Sequence, residues 1–342
     1  MEIKLEQLIA LYEKALVTKP NNPLVYIQLA ELYYAKGNLD AAFDIHQKAL
    51  QIQSNADNKT MDNLLLTHSK NKADDNELYN WIKFDVKSAM NYPKGMDLLC
   101  KGKLDGMLIE QAFSKEEMAR VKNRIESSKY TKTSRHYGER IGLSFRDVNQ
   151  DVALYFRKSI LFRIQLEEIF ENCFEKKVLS ILNKISGSRP VELLKESPEN
   201  LFVPAEIRII HPSKEETKAH TENETFEKSK ECKYLKQIDK KVDILSYFIV
   251  VEKPEKGGEL VLYNLLWQQT MSVMKKDCSD QRDYYLERFK KQYINPEVGD
   301  MVIFNAGRIW HKVAGCEGNK NRITVGGFLA RSKDDKTVFC WV

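Results

Sequence analysis

The chain has 342 residues, 42% of them hydrophobic, with 54 basic and 49 acidic side chains for a net charge of +5. That is apolar enough for two domains or one large one, and the mixing of the two charge signs excludes a nucleic-acid-binding signature. The longest apolar run, around Ile244 to Val251, is far too short to span a membrane, the N-terminus has no signal-peptide core, and six scattered cysteines without a C-x-x-C pair fit a reduced, cytoplasmic protein rather than a zinc or disulfide framework.

In chain order, Leu5, Leu8, Ile9, Tyr12 and Leu16 recur at helical spacing. Pro20-Asn21-Asn22-Pro23 ends that helix. Tyr26, Leu29, Ala30, Tyr33, Gly37, Ala42, His46 and Ala49 then follow the spacing of a tetratricopeptide-like helix-turn-helix, with Gly37-Asn38 at its turn. Residues 1–56 are therefore expected to form an α-helical segment of about one and a half such repeats. Units of this kind bury their faces against neighbours, so the segment is expected to dock on the rest of the protein or on a partner.

Residues 57–104 read as a linker with a short helix near Met61 to Leu66 and a further helix from Glu77 to Met90. Ser114 followed by Glu116 and Glu117 marks a helix start. Residues 152–185 are expected to be helical, with Leu154, Ile160, Ile164, Leu166, Ile169, Phe170 and Phe174 as the apolar side. After Pro204 strand signals take over at 207–210, 244–252, 258–263, 300–304 and 322–330, interrupted by an inserted helix at 280–293. The expected class is α+β. A jelly roll of two sheets occupies about 200–332, inside a domain spanning 105–342 with flanking helices, and the helical repeat precedes it.

The chemistry-bearing residues fall in the strand-rich half. His220 and Glu222, at spacing i, i+2, would share one face of a strand, and His311 comes from a distant strand introduced by Gly299 to Phe304. Two histidines and one carboxylate are the donors of the facial triad that holds non-haem Fe(II) and leaves coordination positions open. Singly, each histidine reads more simply as an ordinary core or surface residue; order and strand context together give the set its weight. Arg322 opens the strand after His311, and its guanidinium suits a carboxylate ligand. Thr324, on the same face, would add a hydroxyl donor. Gly257-Gly258 reads as a tight turn. Arg208, on the strand before His220, is a candidate contact for an anionic substrate. The lysine-rich stretch from Phe226 to Lys241 reads as a solvated loop, with a lid as the alternative.

Together, the His220-Thr221-Glu222 triplet, the Gly257 to Tyr263 strand, Gly299 to Asn305, Trp310 to Val313 and Arg322 to Leu329 resemble the Fe(II)/2-oxoglutarate-dependent oxygenases, most of all their prolyl-hydroxylase-like branch. The resemblance covers about 200–332, with a helical lead-in from about 105. It implies a double-stranded β-helix, iron on His220, Glu222 and His311, and the distal carboxylate of 2-oxoglutarate on Arg322. It also implies consumption of O2 and oxidation of an unactivated C–H bond, coupled to decarboxylation of 2-oxoglutarate to succinate. Two positions depart from the family pattern. Glu222 stands where most members have Asp, and His211 stands where many have a Tyr that reaches 2-oxoglutarate; His211 is a candidate substitute donor. Radical halogenases of this group carry Gly or Ala where Glu222 stands, so the resemblance implies hydroxylation. The expected substrate is a small molecule such as an amino acid or a biosynthetic intermediate. The alternatives are a protein side chain docked through the helical repeat, and a non-catalytic interaction protein with a degenerate barrel.

Overall fold

The computed structural model describes residues 5–61, 78–127, 129–143, 148, 151–212, 214, 217–228, 237–238, 243–277 and 279–342. The short helix expected near 61–66 lies, past Met61, outside the described residues, as does most of the lysine-rich loop. Two compact units emerge: Met1–Glu77 with Tyr263–Lys290, and Leu78–Leu262 with Lys291–Val342.

The first unit begins with helices α1 (Leu5–Thr18), α2 (Pro23–Ala35) and α3 (Leu39–Met61). The side chain of Asn22 accepts the Leu24 N–H at 3.0 Å, and Pro23 occupies the first helical position, where a missing N–H costs nothing. Gly37, at φ +80°, turns the chain between α2 and α3. Ala30, Ala42 and Ala49 are fully buried, so the backbones of these helices can approach closely.

The second unit runs β1 (Trp81–Asp85), α4 (Gly95–Cys100), β2 (Gly106–Glu110), α5 (Lys115–Glu126), β3 (Thr133–Arg135), β4 (Gly138–Ile141), α6 (Val152–Ile169), α7 (Phe174–Ile185), β5 (Val191–Leu193), β6 (Glu206–Ile210), α8 (Glu222–Lys228), β7 (Leu245–Glu252), β8 (Lys256–Gly257) and β9 (Leu260–Leu266). From Tyr263, within β9, the chain belongs to the first unit, where α9 (Ser272–Lys276) and α10 (Asp280–Leu286) follow. It returns with β10 (Lys291–Ile294), β11 (Met301–Phe304), β12 (Ile309–Val313), β13 (Cys316–Glu317), β14 (Arg322–Arg331) and β15 (Val338–Trp341). The architecture is mixed α and β. Its large sheet runs β1-β2-β11-β7-β14-β6-β4-β3, while β9 lies beside β12 and β8 beside β13 in smaller sheets.

Alternation along two neighbouring strands positions the site. Ile207 and Ile209 of β6 and Ile323 and Val325 of β14 are buried in one apolar core, to which α5, α6 and α7 contribute Met118, Leu166 and Ile181. Arg208 and Ile210, and Arg322 and Thr324, therefore share the opposite face. In register, Thr324 lies across from Arg208 and Arg322 across from Ile210.

Several local expectations are corrected. Residues 81–85 form a strand rather than part of a helix, because they pair in parallel with all of β2 from Trp81↔Gly106 to Asp85↔Glu110. The 152–185 helix is two helices, broken where Glu171 and Asn172 take φ +56° and +59°. Its apolar side is also rotated: Tyr155, Phe156, Phe162, Leu166 and Ile169 are buried, while Ile160 and Ile164 are exposed. With apolar residues around most of α6, spacing alone could not choose the inner face. The inserted helix stops at Leu286, and 291–294 is strand.

Candidate active site

His220 and His311 face each other across an antiparallel bridge, each backbone N–H donating to the other's carbonyl at 3.0 Å. This closed pair sets the two imidazoles 4.5 Å apart. In both rings Nδ1 lies 2.9 Å from a backbone carbonyl, that of Lys218 for His220 and that of Ile309 for His311. A carbonyl only accepts, so Nδ1 holds the proton and Nε2 is left as the nitrogen that could take a metal. The Phe304 ring packs edge-on against His311 at 4.9 Å.

Glu222 reaches the same place by another route than the expected strand alternation. The extended stretch ends at the His220 bridge, and Glu222 is the first residue of α8. Thr221 enforces the change, its hydroxyl accepting the Glu224 N–H at 3.1 Å as a helix N-cap does. The Glu222 N–H donates to the Ala306 carbonyl at 2.9 Å. Asn223 donates to Asp243 at 2.9 Å, and Asp243 also accepts from Asn305 at 3.1 Å. The segments after His220 and Glu222 and before His311 are thus tied together. The Glu222 carboxylate lies 3.6 Å from His220 Nε2, and one ligand atom from each of His220, Glu222 and His311 falls within 4.8 Å of the others. This donor set, borderline nitrogen with one hard oxygen, fits Fe(II).

Electrostatics prepare the three differently. Burial, with His220 close by, pushes the His311 imidazolium down to about 3, so this ring is neutral and ready to donate its lone pair. Burial raises the Glu222 carboxyl, but the adjacent His220 outweighs it and holds the group below its ordinary value. Burial lowers His220, and the Glu222 carboxylate more than reverses that. A metal ion taken up here would compete with protons for these groups, so its affinity would rise with pH.

Arg322 is only 6% exposed. Its Nε donates to the Gly258 carbonyl at 2.7 Å, a terminal nitrogen lies 3.3 Å from the Thr324 hydroxyl, and the guanidinium stands 5.4 Å from the Phe248 ring centre. It has no ion pair among the described residues, and burial pushes its pKa down to about 10. A carboxylate ligand would offset that desolvation. The turn expected at Gly257-Gly258 is present, with φ +74° and +75°. Its part in holding Arg322 had no sequence signal beyond the glycine pair itself.

Arg208 donates through Nε to one oxygen of Glu206 at 2.7 Å, and the other oxygen accepts from Arg140 at 3.1 Å. His220, Glu222, His311, Arg322, Thr324 and Arg208 all line one cavity, with about 720 Å³ of empty space including its mouth. His211 is not among its lining residues; that ring lies 2.9 Å from Asn321 and 3.6 Å from Glu139. Tyr137, Phe248 and Phe328, which carry no distinguishing sequence signal, complete the wall. Aromatic residues in strands read as core, and only the assembled sheets distinguish the ones that face the cavity.

The profile of the carrier-protein-independent halogenase WelO5 family matches residues 78–342. The chain belongs to this family. It is a 2-oxoglutarate-dependent oxygenase with Fe(II) and 2-oxoglutarate as cofactors. No curated protein matches the sequence. Among solved structures it is similar to an N-substituted L-amino acid dioxygenase from Burkholderia ambifaria AMMD, at 14% identity over 71% of this chain and 89% of that one, TM-score 0.49. It is also similar to a 2OG-Fe(II) oxygenase-family oxidoreductase from Burkholderia pseudomallei, at 9% identity over 77% and 99%, TM-score 0.41. A prolyl-4-hydroxylase from Pseudomonas putida is similar at 11% identity over 72% and 99%, TM-score 0.35. No helix among the described residues is long and apolar enough to cross a membrane.

Proposed function

We propose that this member of the family hydroxylates an unactivated C–H bond of a small molecule, such as an amino acid or a biosynthetic intermediate, and does not halogenate. One observation carries the reading: the Glu222 carboxylate is buried beside both histidines. A halogenase of this kind needs that coordination position for a halide, and Glu222 fills it. In this reading the sheets form a double-stranded β-helix, and His220, Glu222 and His311 bind the iron. Bound Fe(II) and 2-oxoglutarate supply the oxidising chemistry for which no side chain suffices. Arg322 and Thr324 hold the distal carboxylate of 2-oxoglutarate, and Arg208 meets an acidic group of the substrate. The apolar walls at Ile210, Leu260, Val313 and Phe328 exclude water and orient the carbon to be attacked.

The test is spectroscopic and needs no substrate. Fe(II) and 2-oxoglutarate are added anaerobically to apo-protein while the weak visible band of the chelate is followed, with and without chloride. The wild type should give a band that chloride leaves unchanged, His311→Ala should lose it, and Glu222→Gly should gain a chloride-dependent shift. A wild-type band that moves with chloride would replace hydroxylation with halogenation. Absence of any band at saturating ligand would instead favour a degenerate barrel.

A further inference from the structure

Helix α6 is apolar on two faces. One is buried in the core of its unit, yet Ile160, Leu161 and Ile164 on the other are 50%, 62% and 56% exposed. A surface helix ordinarily carries one apolar stripe and one polar face, and aliphatic residues clustered within about one helical turn of solvent-facing surface mark a contact site. The flanking charges indicate what covers it. Arg157 and Lys158 precede the cluster, and Glu167 and Glu168 follow it. The two acids sit in the last turn of α6, where the helix dipole favours bases instead. Glu167 has a local reason, since its carboxylate accepts the Phe174 and Glu175 N–H groups at 3.1 and 2.7 Å and caps α7. Glu168 makes only a solvent-exposed pair with Lys129, and Arg157 and Lys158 have no ion-pair partner among the described residues.

We propose that this face of α6 is the contact of a twofold dimer, with the α6 of a second copy lying antiparallel across it. The sequence is self-complementary in that arrangement. Setting Leu161 against the second copy's Ile164 brings Arg157 opposite its Glu168, and the twofold axis repeats both contacts at the other end. A parallel arrangement would stack Arg157 on Arg157, which charge repulsion disfavours. None of these residues lines the active-site cavity, so the surface can be altered without touching the chemistry.

Sedimentation velocity on the full-length chain across a wide concentration range tests this. The wild type should reach a dimer. Leu161→Asp should leave a monomer with an unchanged far-ultraviolet dichroism spectrum. Arg157→Glu should weaken association by about tenfold, and adding Glu168→Arg to it should restore most of that loss. A wild type that stays monomeric throughout, or a dimer indifferent to Leu161→Asp, overturns the proposal. Should Leu161→Asp misfold, the charge-swap pair decides by itself: no restoration by the second change overturns it.

Discussion

Arg322 is held in place by Gly258, whose carbonyl accepts its Nε at 2.7 Å. The contact couples the glycine turn to the residue proposed to hold 2-oxoglutarate. A Cβ at position 258 would sit 2.7 Å from Pro254 and 3.0 Å from the Arg322 side chain, at a φ of +75°. Gly258→Ala is therefore expected to displace Arg322 and to strain the turn by roughly 1–2 kcal/mol. Titrating 2-oxoglutarate into the Fe(II)-loaded protein should show affinity lower by about tenfold, a loss of ~1.4 kcal/mol. Affinity for the metal alone should be unchanged. Equal 2-oxoglutarate affinity in the variant would mean that the arginine finds its position without the turn.

Thr221 carries no ligand atom in the proposed site, yet it decides where one points. Its hydroxyl starts α8 and thereby turns Glu222 toward His220. Thr221→Val keeps the shape and removes the acceptor, costing about 1 kcal/mol of local stability. Metal affinity measured with Mn(II) or Co(II) should fall by about tenfold, as for other groups that orient a ligand. Unchanged affinity would show that the Glu222–Ala306 backbone bond alone sets the direction.

What could be read from the sequence divides along physical lines. That His220, Glu222 and His311 come together beside Arg322 was legible because few residue types suit that chemistry and they follow a fixed order along the chain. Strands β6, β7, β11 and β14 were legible because they combine β-branched runs with Gly and Pro boundaries. Glu222 on a helix was not, because a single hydroxyl contact at Thr221 overrides the strand pattern before it. Strand β1 was misread because its partner β2 lies outside any local window. The placement of 263–290 with the N-terminal helices depends on contacts such as Tyr34 with Asp277 and Asp40 with Arg288, each 2.5 Å long and formed between residues more than two hundred positions apart.

The first unit should lose stability in mild acid through His46. This ring is fully buried, with Nε2 2.9 Å from the Gln269 carbonyl and Nδ1 3.2 Å from the Tyr285 hydroxyl. Its Nε2 donates to the carbonyl, and because burial disfavours the charged ring, Nδ1 is the bare nitrogen that accepts from the tyrosine hydroxyl. Burial holds its pKa below the ordinary value. The unfolded chain, with an ordinary histidine pKa of about 6.5, then takes up the proton first. Stability is complete above about pH 6.5 and declines as pH falls toward the folded-state pKa. Hydrogen exchange of α2 and α3 in the full chain should accelerate over that range. His46→Gln should lower stability at neutral pH and flatten the response. An equally steep response in the variant would assign the titration to another group.

Glu222→Asp tests whether this site has been built around the longer side chain. Aspartate is the usual residue at this position in the family the sequence resembles, so the substitution looks conservative. The geometry argues otherwise. The backbone of residue 222 is pinned on two sides, by the Thr221 cap and by the bond to the Ala306 carbonyl at 2.9 Å. It cannot advance to compensate for a missing methylene, which withdraws the carboxylate by about 1.5 Å. The carboxylate already lies 3.6 Å from His220 Nε2 and is 6% exposed, so a shorter side chain on a fixed backbone retreats from the histidines. Mn(II) or Co(II) affinity should therefore fall by about tenfold. The His220 imidazolium, which Glu222 stabilises, should titrate at lower pH in the metal-free variant, a shift that nuclear magnetic resonance reads independently of metal binding. Wild-type affinity in Glu222→Asp would mean that α8 slides toward the histidines, and the pinning contacts would then be weaker than their distances imply.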